Sequence, residues 1–505
     1  MISFNFIKIN AWLKISGLIF IFLIILSYLR LPLWPDHTLY LYIGNCWKEG
    51  FLPYSDLFDQ NWPGIIWISQ AISMVTGPTP FGVRVFDLIW QSLTAVTLFV
   101  IARRNLNFSR SISCVFLYLS LYLAASFGST AQREGFASLF LGIALILIRL
   151  NTARMRWLFL WMSGVLVAFA CFIKPTFLIL ASFVTIYLFI TRKREGIKLL
   201  VVFLFGLILP FGAYLSYLIK TGTFASFIDA TVIFTMKYAD LQMGWILRRF
   251  LVFLFLYPPG RLIILCVVMT ALVLRKRLAW FKENQLVAIF ALGTLLGLLI
   301  QRRLAYYHAM SFCFFGSIFL ITAFKELESD LEKLMKGAFL KKLPVILILF
   351  ILIFPIGYDL PASMFSILSG KSAQAHGDSQ RERRRLAPWS IVESVGKEIQ
   401  AKTPAGTRVL CIMGSESPDY YLAAKRMPVQ KYILPAHFGF DSKRENEAVR
   451  IIEGTYEDIV LIVDSSSSKD SGLYQAVLRN KKSELISNFS YGDSASVYVY
   501  YLKNI

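Results

Sequence analysis

The chain has 505 residues, 56% of them hydrophobic and only 16% charged, with a formal net charge of +21 and a mean hydropathy of +0.60. A soluble chain carries about 25% charged residues, so one large water-soluble core is excluded, and recurrent long apolar runs point to a polytopic membrane protein. The basic excess is split into short clusters between those runs, which excludes a nucleic-acid surface as its purpose.

In chain order, Lys8 and Lys14 precede an apolar segment at 15–29. No small-x-small cleavage site precedes "LRLPLWP", so the segment reads as a retained first span rather than a removed signal. Taking about 19 residues per crossing, spans are expected at 12–30, 83–102, 111–128, 135–149, 157–173, 175–191, 198–219, 259–275, 285–301, 304–323 and 344–360. An odd number of spans with a cytoplasmic N-terminus places the C-terminus outside. The basic clusters at 103–110, 149–156, 192–198, 275–282 and 325–342 then all face inward, as the positive-inside rule requires. Two further apolar stretches, 64–77 and 246–257, are too short to cross and read as interfacial or re-entrant helices on the outer face.

The expected outer loops are unequal. The first, 31–82, is long and rich in Trp, Tyr, Asp and Pro; the second and third, around "GSTAQRE" and "FIKPT", are short; the fourth, 220–258, is long again. Beyond a membrane domain over 1–360 the composition turns polar. Residues 361–387, including "KSAQAHGDSQRERRR", read as a linker, and 388–505 as an extracytoplasmic α/β domain. In that domain "TRVLCIMG" and "DIVLIVD" read as buried strands, "SGLYQAVLRNKKSELI" as an amphipathic helix and "ASVYVYYL" as a closing strand. The fold class expected is thus an all-α membrane domain of about 11 helices followed by a small α/β domain. Four of the six cysteines, Cys114, Cys171, Cys266 and Cys313, lie in apolar runs as small hydrophobes, and only Cys46 and Cys411 fall elsewhere.

Polar residues on the expected outer face concentrate in five places: Asp36 and His37; Asp56 and Asp59; Arg133 and Glu134; Lys174; and Arg302, Arg303 and His308. A carboxylate at the membrane rim beside apolar walls has its pKa pushed up and can take a proton from a hydroxyl. Cations opposite can hold a lipid-linked phosphate and stabilise it as it leaves. Each residue also has a plainer reading. Asp36 suits a helix N-cap and Glu134 a helix first turn, while Lys174 and the two arginines suit interface anchors. Arg84 and Asp87, three apart, suit a structural pair on the second span. No metal-ligand spacing occurs, so no cofactor is assigned, and a divalent metal is left open with its ligands unnamed.

The run "LPLWPDHTLYLYIGNCWKEGFLPYSDLFDQNWPGIIWISQAISMVTGPTPFGVRVFDLIWQSLTAVTLFVIARR" resembles the first outer loop and second span of GT-C glycosyltransferases. The likeness is to the bacterial dolichyl-phosphate-mannose-protein mannosyltransferase and aminoarabinose-transferase-like group. It rests on Asp36, Tyr40, Leu52-Pro53-Tyr54, Asp56, Asp59, Pro63, Gly77 and Arg84, then Glu134, Lys174-Pro175 and Tyr307-His308. It implies that Asp36 is the catalytic base, that Glu134 helps place the acceptor or a metal, and that Lys174 and the arginines contact the donor phosphate. It further implies a bacterial-type inner membrane, a polyprenyl-phosphate-sugar donor, and a glycan, lipid or protein as acceptor. Two departures stand out: the usual acid pair is Asp36-His37 here, and the usual Lys of "DxKPP" is replaced by Asn61-Trp62.

The function expected is therefore transfer of one sugar, with inversion, from a polyprenyl-phosphate-sugar to an extracytoplasmic hydroxyl. His37, Tyr40, Asp56, Asp59, Arg84, Arg133, Lys174, Arg302, Arg303 and His308 are the candidate substrate contacts. The alternative from another class is a transporter or flippase of lipid-linked sugars, against which stand the missing inverted repeat and the rim position of the charges.

Overall fold

The computed structural model describes residues 16–17, 19–150, 155–191, 193–240, 246–276, 278–301, 304–334, 359–434, 437, 442–455, 457–464, 481–491 and 495–504. The first helix, α1 (Ile19–Leu29), leads through an extended stretch into α2 (Pro35–Lys48). Then follow α3 (Pro63–Val75), α4 (Pro80–Arg103), α5 (Phe108–Leu123), α6 (Arg133–Arg149), α7 (Arg156–Ile173), α8 (Leu178–Thr191) and α9 (Lys193–Lys220). After short turns α10 (Phe224–Ile228) and α11 (Thr235–Asp240) come α12 (Ile246–Leu256), α13 (Pro258–Lys276), α14 (Leu278–Ile300) and α15 (Met310–Leu334).

Among the described residues five helices are long and apolar enough to cross a membrane: Pro80–Arg103, Arg156–Ile173, Gly196–Lys220, Glu283–Ile300 and Tyr306–Glu328. This is a multi-pass membrane protein. The stretches expected to span at 12–30, 111–128, 135–149 and 175–191 form apolar helices too, but shorter ones, and the one expected at 344–360 lies almost wholly outside the described residues. The helix α3 has 13 residues, about 20 Å, which is too short to cross. Residues 247–256 and 258–274 are bent by 84° about Pro258. Proline at the start of α13 removes a backbone donor and breaks continuity there.

Apolarity runs outward in this bundle. On α4, Ile89, Leu93, Val96 and Val100 are exposed, while Arg84, Asp87, Gln91 and Thr94 on the other face are buried. That pattern puts polar groups inside and hydrocarbon-facing groups outside, as a lipid solvent demands. Helices α7 and α9 pack through Gly164 and Gly206, where an added Cβ would overlap the facing backbone. Small residues at such a crossing let two backbones approach closely.

The C-terminal region carries a four-stranded sheet in the order β1-β2-β4-β3, with β1 (Arg408–Ile412) parallel to β2 (Ile459–Asp464). β4 (Ala495–Asn504) runs antiparallel to both β2 and β3 (Lys481–Tyr491). The expected strands at 407–414, 458–464 and 495–502 are thus present. The expected helix at 471–486 is corrected over its second half: residues 481–486 belong to β3, because the adjacent β4 offers a backbone ladder that outcompetes local helical spacing. Residues 471–480 lie outside the described residues.

The expected linker is helical over much of its length. Helices Asp359–Leu368 and Ala373–Arg383 fill it, and Arg381 is fully buried. Its guanidinium pairs with Asp419, sits 3.7 Å from Glu416 and donates to the Leu33 carbonyl at 2.9 Å. Thr38 of α2 donates to the same Asp419, and the Tyr42 ring stacks on Tyr421 at 5.3 Å. The C-terminal region is therefore docked on α2.

Candidate active site

The helix α2 begins where Pro35, with its φ already set, occupies the first turn. His37 three residues after Trp34 caps it: the Trp34 N–H donates to His37 Nδ1 at 3.1 Å, which leaves Nε2 to donate to the Thr130 carbonyl at 2.9 Å. Burial lowers the His37 pKa to about 3, so the ring is neutral and both nitrogens are used inside the protein. The capping role expected of Asp36 falls to His37 instead, and His37, expected as a substrate contact, fixes the start of α2.

Asp36 and Tyr40 are four apart and share one face of α2. Asp36 is half-buried; Tyr40 is buried, and burial is the main cause that raises its phenol pKa. Both lie within electrostatic reach of Arg133 and Asp59. Arg133 opens α6 and donates to the Asn61 side-chain oxygen, while the Asn61 amide nitrogen donates to Asp59 at 2.8 Å. Asn61 thus links cation to acid through one amide, which can accept on one atom and donate on the other. Among the described residues the second Asp59 oxygen is buried without a hydrogen-bond partner, and so is Arg133 Nε. Burial raises the Asp59 pKa to about 6 against the bond from Asn61, which lowers it.

Behind this row, Glu134 and Lys174 form a buried ion pair. Lys174 follows α7, and Gly64 at the start of α3 lies directly on the Phe172–Ile173 backbone, where a Cβ would have no room. That close approach holds the 59–63 segment beside the pair. Lys174, expected to contact donor phosphate, faces Glu134 in the structure. Tyr307, conspicuous in the sequence only as half of a Tyr-His motif, is electrostatically coupled to Tyr40 and Arg133. His308 is buried beside it, the ring centroids 4.4 Å apart.

Other expected contacts fall elsewhere. Arg84 is fully buried and donates to the carbonyls of Leu31 at 3.2 Å and Phe127 at 2.9 Å and to the Thr130 hydroxyl at 2.7 Å. It ties the exit of α1 to the second outer loop as a structural clamp. Asp87 is not its hydrogen-bond partner; that carboxylate accepts from Tyr28, Tyr122 and Gln91. Asp56 is exposed and closes its own turn, accepting from the Leu52 N–H at 2.8 Å. Arg302 and Arg303 lie outside the described residues. Asn61 and Thr130 were missed as site residues, since neither residue type signals its partner until the loops are brought together. Among the described residues no three His, Cys, Asp or Glu side chains converge as metal ligands.

A family model described as dolichyl-phosphate-mannose-protein mannosyltransferase matches residues 60–217. No curated protein matches the sequence significantly. Among solved structures, ArnT from Cupriavidus metallidurans bound to undecaprenyl phosphate superposes with a TM-score of 0.58 at 11% identity, covering 97% of this chain and 98% of that one. The apo state of the same protein gives 0.57 at 11% identity, with coverage of 97% and 98%. At that identity the likeness carries the fold. With the family match, it makes the chain similar to GT-C superfamily glycosyltransferases of the mannosyltransferase and ArnT type.

Proposed function

We propose that the chain is an integral-membrane glycosyltransferase that moves one sugar from a polyprenyl-phosphate-sugar to an extracytoplasmic hydroxyl, with Asp36 as general base. The observation that carries this reading is the pairing of Asp36 and Tyr40 on one face of α2 with Arg133 held opposite by Asn61. The acid and the cation come from separate elements and lie within electrostatic reach of each other. Undecaprenyl phosphate bound to the structurally similar ArnT supports a polyprenyl-phosphate donor.

In this reading the acceptor O–H proton passes to the Asp36 carboxylate as the oxygen attacks the anomeric carbon. The bond from that carbon to the phosphate oxygen breaks, and its electron pair leaves with the phosphate. The Arg133 guanidinium, with a buried donor still unused at Nε, stabilises the phosphate as its charge grows. In-line attack inverts the anomeric centre. Glu134 acts by holding Lys174, and the pair by holding the start of α6, so Glu134 is a positioning residue. Tyr40 and His308 line the sugar side. The membrane domain 1–360 carries the chemistry, and 388–505 is an extracytoplasmic domain in a bacterial-type inner membrane with the N-terminus cytoplasmic.

The test presents the purified chain in nanodiscs with a panel of polyprenyl-phosphate hexoses and pentoses plus an envelope extract as acceptor source. Release of polyprenyl phosphate from one donor is expected. No release from any donor, with the protein folded, would contradict the transferase reading.

A further inference from the structure

Phe58 and Asp59 are neighbours in the loop between α2 and α3, yet their contacts lead in different directions. Asp59 accepts from Asn61 in the candidate active site, whereas Phe58 is held by the C-terminal region. The Phe58 N–H donates to the Lys431 carbonyl at 2.9 Å. Its ring is boxed by Tyr432, His437 and Phe234, with centroids 5.3, 5.0 and 5.3 Å away. The guanidinium of Arg444, on the helix Ser442–Glu453, closes the box, 4.4 Å from the Phe58 ring and 4.8 Å from that of Phe234. All five of these side chains are buried.

Arg444 is aimed by Asp229. One terminal nitrogen of its guanidinium donates to both Asp229 oxygens, at 2.9 and 2.8 Å. Glu447, one turn further along the same helix, is taken up by Lys431 and Tyr432 instead. Asp229 begins and Phe234 ends a single π-helical turn between α10 and α11. Such turns are rare and cluster at functional sites. Here the two ends of the turn supply a carboxylate to Arg444 and a ring to Phe58. A guanidinium can do both jobs at once, because its plane stacks on a ring while its edge bonds to a carboxylate.

Consecutive Cα atoms are about 3.8 Å apart, so a backbone shift at Phe58 carries Asp59 with it. Asp59 is bonded to the Asn61 amide, and the same amide accepts from Arg133. We infer that Arg444 is a positioning residue for the candidate active site: aimed by Asp229, it fixes Phe58 and, through it, the Asp59–Asn61–Arg133 row. The use made of that row rests on the transferase reading; the link itself is a property of the fold. It gives the C-terminal region a share in the site although none of its own groups touches the reacting atoms.

The test follows Asp59 in the full chain in nanodiscs, as the protonated-carboxyl infrared band that Asp59→Asn abolishes. Arg133 and Asp36 are the charged groups within electrostatic reach of Asp59, and neither is altered. In wild type the band is expected to titrate at about 6. Arg444→Met frees Phe58 and admits water to Asp59, and is expected to lower the midpoint by about one pH unit or more, toward the ordinary value of about 3.9. Asp229→Ala, at a half-exposed position, is expected to lower it in the same direction. The double variant should go no further than Arg444→Met alone, because the two residues act in one line. With the donor that wild type uses, Arg444→Met is expected to lower kcat about tenfold and leave KM within about twofold, since the row serves the departing phosphate. An unchanged Asp59 midpoint or an unchanged kcat in folded Arg444→Met would reduce Arg444 to a staple of the C-terminal region and overturn the inference, as would additive shifts from the two variants. The titration needs no turnover, so the expected shifts in a chain that releases no polyprenyl phosphate would uphold the link and contradict the transferase reading alone.

Discussion

At the scale of single residues, Asp59 shows how the site trades stability for charge placement. Burial raises its folded-state pKa to about 6, above an unfolded value of about 3.9. The protonated form therefore favours folding: that contribution is complete below about pH 4 and is lost as pH rises through about 6. Asp59→Asn keeps an acceptor for the Asn61 amide and carries no charge. It is expected to raise the thermal midpoint at pH 8 and leave it unchanged near pH 4, a difference on the order of 3 kcal/mol. A variant whose midpoint follows pH as steeply as wild type would show that Asp59 ionises freely in the fold. At this scale the sequence made Asp36, Arg133 and Glu134 legible, since charge at a membrane rim is conspicuous. Asn61 was not legible, because it reads as the loss of a lysine until Asp59 and Arg133 are seen on its two ends. Arg84 was conspicuous in the sequence, but its carbonyl partners were not legible, because they lie on loops that only the fold brings to it.

At the scale of elements, the Glu134–Lys174 pair joins the first turn of α6 to the end of α7. Both side chains are almost fully buried, at 1% and 7% exposure, so removing one takes a buried counter-charge from the other. Glu134→Met or Lys174→Met alone is expected to cost about 3–5 kcal/mol, whereas the two together should cost far less. Chemical denaturation of the two single variants and the double variant measures the coupling; simple additivity would mean that the pair is not a unit. Helix positions follow from apolar runs, and most expected spans coincide with helices. The strand at 481–491 did not follow in that way. Its residues have helical spacing as well as strand alternation, and only pairing with β4, contributed by the very end of the chain, decides between them. The helices between 359 and 383 were hidden for a related reason: their polar sequence is satisfied by partners more than 30 residues away, such as Asp419 and Leu33.

At the scale of the whole molecule, α2 has two faces with two duties. One presents Asp36 and Tyr40 to the candidate active site; the other is gripped through Thr38 and Tyr42 by the C-terminal region. Arg381 is the keystone of that grip, with no exposed surface and bonds to both Asp419 and the Leu33 carbonyl. Arg381→Ala takes the arginine away from the buried Asp419 carboxylate and is expected to cost about 3–5 kcal/mol. Limited proteolysis should then release the C-terminal region from the folded bundle, whereas an unchanged digestion pattern would mean that the docking rests on other contacts. The most direct single measurement is polyprenyl phosphate release by Asp36→Asn beside wild type, with the donor that wild type uses and with the variant's folding matched in nanodiscs. Loss of a general base should lower the rate by at least about a hundredfold while the protein still retains its donor. Release at the wild-type rate would remove Asp36 from the chemistry and, with it, the reading of α2 as the catalytic helix.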